Sequence, residues 1–118
     1  MALPPAARLL ILRAMGAQTL WAVLLAEGGG ELARITLPSP KTRNELPLRD
    51  LASEGLRHDA SAMIVVRDAA DASCTPCAAE MNAIATARHT LGAIGVRLHD
   101  YILWHGESCV SLRGTGRL

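Results

Sequence analysis

The sequence predicts an α/β (α+β) fold in which helices pack against a mixed β-sheet in three layers. Three observations carry this. Two continuous apolar runs, residues 19–26 (T-L-W-A-V-L-L-A) and 60–66 (ending M-I-V-V), read as strands buried on both faces. Between and after them lie segments whose apolar residues recur at helical spacing. The chain has 118 residues, half of them hydrophobic, which suffices for one domain with one real core.

In order along the chain, residues 4–15 place Leu9, Leu10, Leu12 and Met15 at helical spacing. Pro4 and Pro5 suit a first turn, and Gly16 ends the pattern. The strand at 19–26 runs into the turn Glu27-Gly28-Gly29-Gly30, and residues 31–37 alternate well enough to be its hairpin partner. A polar loop, 38–45, carries Lys41, Thr42, Arg43 and Asn44. Residues 47–58 form a helix with Leu48, Leu51, Ala52 and Leu56 on one side, and the buried strand 60–66 follows. A small loop at 68–73 leads to a helix over 76–91, with Thr75 as N-cap and Pro76 in the first position. Met81, Ile84 and Leu91 make its buried side. Residues 96–104 and 109–112 close the chain as two strands. The expected order is α-β-β-α-β-α-β-β in a single domain over 1–118, without repeats or linkers.

Composition narrows the function. Tyr101, Trp21 and Trp104 are the only aromatics, so Leu, Ile, Val and Ala fill the core. No apolar run approaches the ~20 residues of a bilayer span. The leucine-rich stretch 9–12 is bounded by Arg8 and Arg13, with no cleavage signal after it. A net charge of +1 gives no electrostatic footprint for nucleic acid, although Arg8 and Arg13 or Arg113 and Arg117 could form small basic patches. Three cysteines cannot all pair within one chain, which fits a reducing compartment, so the expected location is the cytoplasm.

Cys74-Thr75-Pro76-Cys77 is a C-x-x-C at a loop-to-helix junction, where a helix N-terminus lowers a thiol's pKa. Three readings stay open: two small packing residues, a redox pair, or part of a metal site completed by a distant histidine. The element order is wrong for a thioredoxin-like fold, which places this motif near its first strand. His58 and His89 fall at helix ends, His99 in a strand beside Asp100, and His105 in a turn. Each reads as a surface or satisfied histidine. Asp68 and Asp71 read as solvated loop residues.

From Leu91 the chain reads L-G-A-I-G-V-R-L-H-D-Y-I-L-W, then His-Gly-Glu-Ser, then C-V-S-L-R-G-T-G-R-L. This closely resembles the C-terminus of the RadC family, the bacterial branch of the JAB/MPN (JAMM) metalloprotease-like domains. The segment L-R-D-L-A-S-E-G-L-R-H-D-A-S-A-M-I-V-V lines up on the family's P-R-E-I-F-R-E-A-L-K-L-N-A-A-A-I-I-L-V. The early V-L-L-A-E is similar to the family's V-L-F-L-D, so the resemblance covers nearly the whole chain. It implies a JAB/MPN-like domain, a mixed curved sheet flanked by helices. The helical region that precedes this domain in full-length RadC proteins has no counterpart; because the chain starts with Met and ends where the family ends, a complete small protein is expected.

The family's H-N-H-P-S-G-D-P-T-P-S-x-x-D supplies two histidines and an aspartate to zinc. The same register here reads R-D-A-A-D-A-S-C-T-P-C-A-A-E, with Thr75-Pro76 fixing the frame. The resemblance therefore places Arg67 and Ala69 where the metal histidines stand, Cys77 at the motif serine and Glu80 at the aspartate. The expected base position falls near Gln18 or Thr19, neither of them an acid. A JAMM site holds zinc by three ligands, and the metal-bound water loses its proton to a glutamate. Guanidinium has no acceptor atom and alanine no ligand atom, so zinc is expected to be absent, with no catalytic residues and no other cofactor. The Arg67 guanidinium is expected to stand in for the metal and hydrogen-bond Glu80, against the alternative that Arg67 reaches solvent.

The function so implied is that of a catalytically inactive RadC-like JAB domain, a pseudo-metalloprotease that binds a protein or peptide. The alternatives are an atypical metal-dependent peptidase or isopeptidase, and a thiol oxidoreductase using Cys74 and Cys77. A DNA-repair accessory role is implied by the family's name alone.

Overall fold

The apolar runs set the sheet. A computed structural model describes residues 20–37, 46–68, 76–105 and 108–118. Strands β1 (Leu20–Leu25) and β2 (Glu31–Thr36) form a hairpin. Helix α1 (Leu48–Arg57) then leads to β3 (Ala62–Asp68), and helix α2 (Ala78–Ala93) leads to β4 (Arg97–His105) and β5 (Ser108–Ser111). The strand order is β2-β1-β3-β4-β5. β3 and β4 are parallel while the other neighbours are antiparallel. A parallel pair requires a long crossover, and α2 supplies it.

Alternation along the strands divides the core. Leu20, Ala22, Leu24, Met63, Val65, Tyr101 and Leu103 face one side, where they meet Leu51 of α1 and Ile84 and Leu91 of α2. Trp21, Val23, Leu25, Ala62, Ile64, Val66 and Ile102 face the other, in a buried cluster whose described members all lie on strands. Both described helices thus share one face. The helix expected at 4–15 lies outside the described residues, as does the loop at 38–45.

Both helices end in the same device. After α2, Val96 donates to the Leu91 carbonyl at 2.9 Å and Gly95 to the Gly92 carbonyl at 3.1 Å, with Gly95 at φ +82°. This is a Schellman motif, sealed by the buried Leu91 and Val96. After α1, Ala60 donates to Gly55 at 2.9 Å and Asp59 to Leu56 at 3.1 Å. Asp59 holds φ +52° where glycine is usual. Gly55 has its own reason: a Cβ there would stand 3.2 Å from Cγ2 of Val96.

Several boundaries and faces differ from expectation. Leu56, placed on the inner side of α1, is 61% exposed, because Gly55 and Leu51 take that face. β3 extends through Asp68, which was expected in a loop. α2 begins at Ala78 with Cys77 in the N-cap position and continues to Ala93, so Pro76 precedes the helix and His89 lies a turn before its end. Thr75 is outside the described residues. His105 ends β4 rather than lying in a turn.

Candidate functional site

The alternation that points Met63 and Val65 at the helices also points Arg67, the next residue of that parity, toward the start of α2. Glu80 occupies the first turn of that helix, where a carboxylate suits the positive end of the dipole. Arg67 Nη1 stands 3.8 Å from Glu80 Oε2, with side chains 4% and 0% exposed. For this pair of atoms that is ion-pair distance. The alternative of a solvent-facing arginine is excluded. The Tyr101 hydroxyl donates to the same Glu80 oxygen at 3.3 Å. Tyr101 pairs with Val65 across β3 and β4, one pleat from Arg67, which is how it reaches the pair.

Of the other positions given by the family motif, Cys77 lies at the N-cap of α2, and its thiol is exposed rather than buried or half-buried as a packing residue would be. Cys109 is exposed as well. Ala69, Asp71, Cys74, Gln18 and Thr19 lie outside the described residues. Among the described residues no three of His, Cys, Asp and Glu come together to hold a metal ion, and no helix is long and apolar enough to cross a membrane.

A second polar cluster, centred on the residue before Tyr101 in β4, escaped the sequence reading. Asp100 is wholly buried. It accepts from the Tyr101 amide at 2.8 Å, the Ser111 hydroxyl at 2.5 Å and the Arg113 amide at 3.1 Å. Nε of Arg113 donates to the carbonyl of His99. One carboxylate thereby fastens β5 and the turn beyond it to β4. The signal was an aspartate inside an apolar strand, which is costly unless paired.

His99 corrects another expectation. It is 5% exposed, not a surface residue, and its Nε2 has no hydrogen-bond partner among the described residues. Nη2 of Arg97 lies 3.4 Å from Nδ1. Guanidinium can only donate, so Nδ1 accepts and the neutral ring carries its proton on Nε2. Burial pushes the His99 pKa below its usual 6.5, and the charges of Arg113 and Arg97 push the same way, against Asp100.

A model of the RadC-like JAB domain matches residues 13–117. The chain is also similar to the UPF0758 protein Bpet3149 of Bordetella petrii, 32% identical over 89 residues, which are 75% of this chain and 38% of that protein. It is similar as well to a UPF0758 protein of Bordetella pertussis, 32% identical over 88 residues, 75% of this chain and 37% of the other. The chain thus spans well under half the length of these relatives. With a five-stranded mixed sheet, a strand–helix crossover before β4 and a family match over nearly its whole length, the chain belongs to the RadC-like JAB domain family.

Proposed function

We propose that this chain is a catalytically inactive RadC-like JAB domain that works by holding a protein or peptide in a reducing, cytoplasmic setting. The observation that carries the reading is the buried Arg67–Glu80 pair. These residues fall where the family motif has a metal histidine and the metal aspartate, and the fold does bring them together, 3.8 Å apart. Their chemistry does not fit zinc. A guanidinium offers no lone pair, it already supplies the positive charge beside Glu80, and a dication at that place would face it at close range. Ala69 adds no donor atom. Without an activated water the family's hydrolytic step has no nucleophile, so no step runs through a metal.

The test is metal content. The purified protein, dialysed against zinc and then washed, is expected to carry far less than one zinc per chain by elemental analysis. About one zinc per chain, lost in Glu80→Ala, would overturn the reading.

One observation favours a second reading, thiol chemistry: Cys77 is exposed at the N-terminus of α2, the environment that activates a thiolate. Alkylation rate against pH separates the two. A thiol titrating several units below ~8.5 favours the oxidoreductase, whereas an ordinary profile leaves the binding reading in place.

A further inference from the structure

An open groove of about 610 Å³ runs along one flank of α2, away from the Arg67–Glu80 pair. Met81, Ile84, Ala85 and Gly92 are among its lining residues on α2, and Arg117 and Leu118 line it from beyond β5. From Met81 to Ala93 it follows the helix for about 18 Å, at ~1.5 Å per residue. That length suits an elongated occupant such as a helix laid beside α2.

Gly92 is the informative residue. Glycine inside a helix costs about 1 kcal/mol relative to alanine. Here a Cβ would meet nothing within 4 Å, so no contact within the chain calls for the missing side chain. The space it leaves open is part of the groove.

Charge says which helix. The ionisable side chains lining the groove are Arg88, His89 and Arg117, and none of the described lining residues is acidic. Arg88 and Arg117 give the groove its positive character. Residues 1–19 carry Arg8 and Arg13 and no acid, so their sequence offers this groove no charge complement. A second copy laid face to face would set Arg88 and Arg117 against their own counterparts. We propose that the groove docks an amphipathic helix of another protein whose apolar stripe is flanked by Asp and Glu. This rests on the binding reading above and gives it a surface and a partner chemistry.

The test uses the full chain, 15N-labelled, and two peptides of about 16 residues, long enough for measurable helicity. Both carry leucines at i, i+3, i+4 and i+7, and they differ only in Glu or Lys flanks. The Glu peptide is expected to shift the amides of residues 85–93. The Lys peptide should bind about ten-fold more weakly, equivalent to roughly 1.4 kcal/mol. Arg88→Glu with Arg117→Glu should reverse the preference. Gly92→Leu should block both peptides while leaving thermal unfolding nearly unchanged. Equal binding of the two peptides, absence of binding, or shifts away from α2 would overturn the proposal. So would occupation of the groove by a peptide of residues 1–19, or a dimer in sedimentation that Gly92→Leu dissociates. A stoichiometric zinc would remove the inactive-domain reading and leave these results untouched, so the two failures are distinguishable.

Discussion

Replacing Glu80 with alanine removes the carboxylate beside a buried guanidinium, and the structure sets the expected cost. The side chains of Arg67 and Glu80 are 4% and 0% exposed, so the charge left behind cannot be rescreened by solvent without opening the start of α2. At 3.8 Å and an effective dielectric of ~20, the Coulomb attraction is about 4 kcal/mol. Breaking a buried pair by removing one partner typically costs about 3–5 kcal/mol. The Tyr101 hydroxyl loses its acceptor in the same variant, adding to the loss. Urea unfolding measures it: with a slope of ~1–3 kcal/mol per molar for a small domain, the midpoint should fall by roughly 2 M. If Glu80→Ala is too unstable to purify, Glu80→Gln keeps the Tyr101 hydrogen bond and should lose less. The double variant Arg67→Ala/Glu80→Ala should recover part of the loss, and an apolar pair such as Arg67→Met/Glu80→Leu should be near neutral or stabilising. A double-mutant cycle with coupling below ~0.5 kcal/mol would refute the reasoning.

Asp100→Ala strands three donors, on Tyr101, Ser111 and Arg113, and should cost about 3 kcal/mol while speeding amide exchange at Arg113; unchanged exchange there would contradict the fastening role. Because the His99 pKa is lowered, the unfolded chain binds the proton more readily. This contribution to stability is therefore complete above about pH 6.5 and is lost as pH falls below it toward the folded value. Urea midpoints followed downward from about pH 7.5 should decline less in His99→Leu than in the native protein, and an identical decline would refute the assignment. Asp59→Gly should stabilise by roughly 0.5–1 kcal/mol by relieving the positive φ, a gain that a lower unfolding midpoint would rule out.

What the sequence revealed depended on how local the cause was. The strands were legible because M-I-V-V and T-L-W-A-V-L-L-A are short and apolar, the first also rich in β-branched residues, and the crossover helix was legible from Ile84 and Leu91. Helix ends were harder. Gly95 marks one Schellman motif openly, while Asp59 performs the same turn without glycine and gives little warning. At the site, the motif register alone joined Arg67 to Glu80. Tyr101 was missed because its approach depends on the parallel pairing of β3 with β4, including the irregularity between Met63 and Ile64 that sets which residue faces which. The misreading of His99 has the same origin, since nothing in H-D-Y-I-L distinguishes a histidine at a sheet irregularity from one on an open face.

The buried pair also constrains how this chain can change. A carboxylate fixed in the first turn of α2 is compatible with full burial only while a positive group faces it from the end of β3. An apolar residue at position 67 would take this cation from Glu80, and an apolar residue at position 80 would take this carboxylate from Arg67. Each single step is costly although the double step is not. The two positions are therefore locked together energetically whether or not the pair takes part in binding, and the persistence of Glu80 in the fold needs no residual metal chemistry to account for it.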